Sequence, residues 1–136
     1  MTPREVVRQF VDGINERDVP RLAKLMTVDH RFVDSLGSVL VGRVAVQEGW
    51  RQYFQMVPDY HIDVHQFFSD GPDVILVGTA GGTYSRGGQL RPGDAWQTPA
   101  AWRAVVRDEA VAEWQVYADN EPVRQRMTGA SAKTQL

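Results

Sequence analysis

Apolar residues recur every three to four positions in the first half of the chain and mostly every second position in the second half, so a helical part precedes a stranded part. Val6, Val7, Phe10, Val11 and Ile14 form one stripe behind Thr2-Pro3, a capping residue followed by proline at the first helical position. Asn15-Glu16-Arg17-Asp18 interrupts that helix, and Asp18 caps a shorter one whose apolar face is Val19, Leu22, Leu25 and Met26. Two short strands follow, His30 to Asp34 and Ser38 to Val41, with a turn at Gly42. Val44, Val46, Trp50, Tyr53, Phe54 and Val57 then mark a third helix, which Pro58 ends because proline has no N–H to continue the ladder.

Beyond Pro58 the segments Tyr60 to Phe68, Asp73 to Tyr84, Trp96 to Arg107 and Ala110 to Asp119 alternate or run apolar with β-branched and aromatic residues. They predict four long strands joined as hairpins. The stretch Ser85 to Asp94 is the longest expected loop, polar and glycine-rich, placed to act as a lip over a pocket. From Met127 onward no periodicity remains, which predicts one domain over residues 1–126 and a flexible tail over 127–136. Helices first and antiparallel strands afterwards give an α+β fold, a cone-shaped, strongly bent antiparallel or mixed sheet wrapped around three N-terminal helices. Alternation puts Val77, Thr79 and Gly81 on one face of their strand, Ala100, Trp102 and Ala104 on one face of the next, and Trp114, Val116 and Ala118 on one face of the last. Small residues beside large rings predict an apolar cavity.

Composition narrows the function. A formal net charge of −2 gives no electrostatic footprint for nucleic acid. The absence of cysteine removes disulfides, thiolate metal sites and cysteine nucleophiles together. The charged start Met1-Thr2-Pro3-Arg4-Glu5, with no long apolar run after it, predicts a soluble cytoplasmic protein without signal peptide or membrane span. His61 and His65 share a strand face but stand about 13 Å apart, too far to hold one metal ion, so no metal site is expected.

Asp34 is the leading candidate for chemistry. A carboxylate at the end of an apolar strand, if desolvated, becomes a stronger base than a solvated one. The same residue before Ser35 and Gly37 also suits a turn, bonding nearby backbone N–H groups. Asp119 reads as a cap for the turn at Asn120-Glu121-Pro122. The expected ligand-binding surface comprises Phe10, Ile14, His30, Phe32, Trp50, Tyr53, Trp102 and Val116. Among these, a buried indole of Trp50 or Trp102 wants an acceptor for its N–H, which predicts a flat apolar ligand with few polar atoms.

The order of elements, the strand end Phe32-Val33-Asp34, the Gly42-Arg43 turn into the third helix and the ending Val111-Ala112-Glu113-Trp114-Gln115-Val116-Tyr117-Ala118-Asp119 resemble the nuclear transport factor 2-like superfamily, and within it the SnoaL-like proteins. The resemblance covers roughly Pro3 to Arg126 and rests on the pattern of parts. It implies the general-base position of ketosteroid isomerases at Asp34. The hydroxyl and protonated acid that those enzymes use as an oxyanion hole fall near Phe10 and Trp102, and their supporting tyrosines near Met26 and Trp50. Each missing oxyanion donor typically costs a factor of about 10²–10³ in rate, which argues against efficient steroid isomerisation. The acidic residue that related epoxide hydrolases and aldol-type cyclases keep on the last strand falls at Val116. The resemblance thus implies either a cofactor-free isomerase, cyclase or dehydratase working on a hydrophobic ketone through Asp34, or a non-catalytic small-ligand binding or accessory protein. It also implies a homodimer formed through the outer sheet face, with no membrane or nucleic-acid partner.

Overall fold

A computed structural model of the protein describes residues 1–127, which form α1 (Pro3–Asn15), α2 (Val19–Lys24), β1 (Met26–Val33), β2 (Val39–Val41), α3 (Arg43–Met56), β3 (His61–Asp70), β4 (Asp73–Arg86), β5 (Gln89–Arg107), β6 (Ala110–Ala118) and α4 (Glu121–Arg126). The local signals act as expected. Thr2 accepts from Glu5 N while Glu5 reaches back to Thr2 N, a complete capping box, and Asp18 accepts from Arg21 N at the start of α2. Gly42 enters α3 at φ 99°, a backbone state that side chains resist.

The strands make one six-stranded sheet in the order β2-β1-β6-β5-β4-β3. Every neighbouring pair is antiparallel except β1 and β6, so the sheet is mixed. The sheet is curved and unclosed, and its concave face is covered by the helices. Register shifts lie between Val64 and Gln66 in β3, Thr83 and Ser85 in β4, and Val105 and Val106 in β5. Such bulges bend a strand and raise its twist. At the β3 bulge the backbone comes so close to β4 that a Cβ on Gly78 would stand 1.8 Å from Asp63 O. Only glycine fits there.

The parallel seam has its own irregularity. Met26 pairs with Val111, but the next pair is Arg31 with Glu113, so β1 carries extra residues across this gap. Val111 holds the gap together: its N–H donates to Leu25 O at 2.6 Å, and its carbonyl accepts from the His30 imidazole, Nδ1 lying 2.6 Å away. A side chain thus replaces the missing ladder bond.

Four expectations need correction. On β4 the inward residues are Val74, Leu76 and Ala80, while Val77 is 37% exposed. Pairing decides this, because Leu76 lies opposite Trp102 and Val74 opposite Ala104, whereas the run Val74-Ile75-Leu76-Val77 is apolar on both parities. The stretch from Ser85 to Asp94 is no loop: Gly87 and Gly88, both at positive φ, make a tight turn, and β5 begins at Gln89. Met127, assigned to the tail, is buried against the core beside Val123 of α4; the rest of the predicted tail, 128–136, lies outside the described residues. Val44 also departs from its expected role on the buried face of α3, being 80% exposed.

Gly78→Ala is expected to destabilise the protein by at least the ~1–3 kcal/mol typical of overpacking. Gly93→Ala, where an added Cβ meets nothing within 4 Å, is expected to leave the thermal midpoint almost unchanged. Paired thermal melts followed by circular dichroism check both.

Candidate functional site

Alternation and helical periodicity bring the aromatic residues of five elements onto the concave face. Phe10 and Ile14 come from α1, His30 and Phe32 from β1, Trp50, Tyr53 and Phe54 from α3, Trp96 and Trp102 from β5, and Trp114 and Val116 from β6. All are buried. They form two groups. In one, Trp50 meets Phe32 edge-on at 5.9 Å and Phe54 at 5.3 Å, while Tyr60 contacts Tyr53 at 5.1 Å and Trp96 at 6.1 Å. In the other, Phe10 contacts Trp114 at 4.9 Å and His30 at 6.2 Å, and Trp114 stacks on Trp102 at 6.4 Å. Trp50 and Tyr60, with centroids 6.4 Å apart, belong to the first group. The expected lining residues are therefore together, and Trp50 and Trp102 pack into the interior, each 1% exposed.

Polar atoms within this packed aromatic core define its chemistry. The indole N–H groups of Trp50, Trp96 and Trp114 are buried without a hydrogen-bond partner, as is Nε2 of His30. An unpaired buried donor costs about 1–3 kcal/mol, so each of the three indoles favours any acceptor brought to it. Burial pushes the Tyr60 hydroxyl far above its ordinary titration range, and burial followed by the neighbouring Tyr60 does the same for Tyr53. Both phenols keep their protons at all physiological pH values. Because a carbonyl only accepts, the bond to Val111 fixes the proton of neutral His30 on Nδ1 and leaves a lone pair on Nε2.

Asp34 stands at the end of β1, half-buried. Its Oδ1 accepts from Leu36 N and Ser38 N, both at 2.9 Å, and its backbone closes the same turn with Ser38 O and Gly37 N at 3.0 Å. Neither bond uses Oδ2. The adjoining Ser35 accepts from Asn120. Asp119 caps its turn, accepting from Glu121 N at 2.9 Å. Arg103 points outward, donating to Glu113 at 2.6 Å and Asp73 at 2.9 Å, so no Asp-Arg-Asp arrangement enters the cone from this strand. His61 and His65 are exposed on β3, and no cluster of metal-ligating side chains exists among the described residues.

Alternation with Ile62 and Val64 puts Tyr60 on the inner face, and it is buried there, adding a phenol to the interior. One inward group escaped the sequence reading. Asp94 is buried with one oxygen 3.0 Å from Arg86 and the other unpartnered. Its even parity with Trp96 and Trp102 was the available signal, hidden by the expectation of a loop.

Burial is the largest influence on His30 and lowers its pKa; the Val111 carbonyl, Glu113 and Asp29 oppose it without prevailing. The unfolded chain therefore binds more protons than the folded one just below the ordinary histidine value of 6.5. The contribution of His30 to stability is full above that value and declines as pH falls toward the depressed folded pKa. His30→Gln is expected to lower the midpoint at neutral pH and to flatten the slope of midpoint against pH below 6.5, read by thermal melts across that window.

No helix among the described residues is long and apolar enough to cross a membrane. No curated protein matches the chain in sequence. Solved structures match its fold closely. A hypothetical protein of ketosteroid isomerase-like fold from Catenulispora acidiphila DSM 44928, in complex with trimethylamine, is 20% identical with a TM-score of 0.79, each chain covered in full. IdmH from Streptomyces antibioticus, described as a candidate polyketide cyclase, is 18% identical over 93% of this chain and 99% of its own, at 0.77. An LEH-like epoxide hydrolase of M. tuberculosis is 16% identical over 91% of this chain and 87% of its own, at 0.76. These likenesses establish the α+β fold expected from the sequence, and their differing descriptions show that the fold leaves the reaction open. The sequence pattern of the SnoaL-like domain matches residues 7–114, so the chain belongs to the SnoaL-like domain family.

Proposed function

We propose that this protein takes a small apolar or aromatic ketone into its aromatic cone and moves a proton on it without a cofactor, with Asp34 as general base, in an isomerase-, cyclase- or dehydratase-type reaction. The observation that carries the reading is the unpartnered indole N–H of Trp50, held against Phe32 of β1, two residues before Asp34 in the turn that follows the strand. Asp34 Oδ2, which takes no part in the turn, accepts the proton from the carbon beside the carbonyl. The electron pair of that C–H bond moves into a C=C bond, and the carbonyl oxygen becomes an enolate. An indole N–H or a permanently protonated tyrosine hydroxyl in the cone receives that charge. Return of the proton to the same carbon gives exchange alone, whereas its delivery to the far carbon of a conjugated enolate, with the C=C bond shifting and the carbonyl re-forming, completes an isomerisation.

The second reading, a binding or accessory protein of the same fold, is favoured by the two backbone bonds that hold Asp34 Oδ1 in its turn and by the depth at which Trp50 and Trp102 are packed. In that case Asp34 serves the β1–β2 turn alone.

Deuterium exchange at the α-carbons of a panel of cyclic and aromatic ketones, followed by NMR, separates the two. Wild type is expected to exchange at least one ketone, Asp34→Asn to abolish exchange while keeping the fold, and Trp50→Phe to slow it by about 10²–10³ if its indole is an oxyanion donor. Equal exchange by wild type and Asp34→Asn removes the base assignment, and ligand binding without exchange by either selects the binding protein.

We also propose that two copies pair through the outer sheet face. Arg31, Glu113, Arg103 and Asp73 form a continuous ion-pair row across β1, β6, β5 and β4, with the Glu113 side chain only 15% exposed. Such a half-polar surface suits a wet, two-fold contact. Light scattering at micromolar concentration is expected to give a dimer; a monomer excludes the pairing.

A further inference from the structure

A concavity lies between α1 and the edge strand β3. It has a volume of about 430 Å³ and is bounded by Arg4 and Arg8 of α1 and by residues 64–68 of β3. The β3 bulge creates it. Val64 pairs with Gly78 and Gln66 with Val77, so the extra residue His65 shifts the alternation and turns Phe67 toward the same side as Val64. There Phe67 lies under both arginines, with the guanidinium carbons of Arg4 and Arg8 at 5.1 Å and 4.7 Å from its ring centroid.

Two like charges over one ring repel each other unless an anion lies near. Among the described residues neither arginine has an ion pair, whereas Arg21, Arg31 and Arg103 each do. The nearby acids on α1 are engaged elsewhere: Glu5 closes the capping box with Thr2, and Asp12 is 3.9 Å from Arg21. A guanidinium seated over an aromatic face keeps its N–H donors free at its edge, the geometry that grips a carboxylate with two parallel bonds. Beside the arginines, Val64 and the half-buried ring of Phe67 form the apolar part of the lining, on the face of β3 opposite to the Phe68 ring, since Phe68 pairs with Ile75.

From the paired unneutralised arginines, the shared ring and the apolar floor we infer that this groove is a binding site for a small aromatic carboxylate, separate from the cone and independent of the reaction assigned to it. The carboxylate bridges Arg4 and Arg8, and the flat body lies along Val64 and the free edge of Phe67.

Titration of isotope-labelled protein with benzoate, acetate and inorganic phosphate tests the site by NMR. Benzoate is expected to give saturable shifts in residues 4–8 and 64–68, with affinity falling as salt rises. The double variant Arg4→Gln/Arg8→Gln is expected to weaken binding at least tenfold, and acetate and phosphate to bind several-fold more weakly than benzoate. Arg8→Lys, which keeps the charge but loses the fork, is expected to fall between and provides a reading if the double variant does not fold. The inference is overturned by the absence of saturable shifts, by shifts unaffected in the arginine variants, by phosphate binding as tightly as benzoate, or by self-association through the same residues in place of benzoate binding.

Discussion

The structure depends on the bonding of Val111, which ties the first strand to the last. Both of its backbone groups are committed, the N–H to Leu25 O and the carbonyl to the His30 ring. Without these bonds the gap between Met26 and Arg31 leaves buried polar groups unpaired at the one parallel seam of the sheet. That seam fixes where β1 ends, and so places Phe32 inside the cone and Asp34 at its rim. It also makes a histidine part of the wall, neutral and committed on one nitrogen. The same imidazole that completes the sheet contributes a lone pair to the interior.

Curvature sets the second constraint. A flat sheet covered by α1 and α3 has no room for so many rings on one side, whereas a bent one gathers them. Glycine at 78 permits the bulge that bends β3, and the same bulge turns Phe67 under the two arginines. One backbone irregularity thus shapes the sheet and produces a groove on its edge strand. The charged residues of the convex face pair among themselves, which leaves Arg4 and Arg8 as a local concentration of positive charge on a chain whose net charge is −2.

Inside the cone, polar groups are few and mostly donors. Indole N–H groups and buried phenols supply hydrogen bonds to an acceptor, and the rings supply flat apolar contact. Asp34 differs from the interior groups in being half-buried and anchored through one oxygen. The anchoring fixes its direction at the cost of part of its accepting capacity. Whether a base or only a turn residue, it holds the same geometry.

The sequence alone determined α1, α3 and the start of α2, because capping residues and apolar spacing act within a few positions: Thr2 with Glu5, Asp18, and the stripe from Val6 to Ile14 all behave as their local chemistry dictates, whereas α4 was read as a turn and Met26, read as helical, begins β1. It also determined the α+β class and the inward faces of β5 and β6, where large rings alternate cleanly with polar residues. Tertiary structure decided what local chemistry leaves degenerate. The run from Val74 to Val77 is apolar on both parities, so only pairing with Trp102 and Ala104 chose its inner face. Tandem glycines at 87 and 88 permit either a loop or a tight hairpin, and the continuing β4–β5 ladder selected the hairpin. The partner of His30, the unpaired state of the indoles and the meeting of Arg4 and Arg8 over Phe67 each join residues far apart in sequence. No local period records them, because they exist only once the curved sheet has brought those residues together.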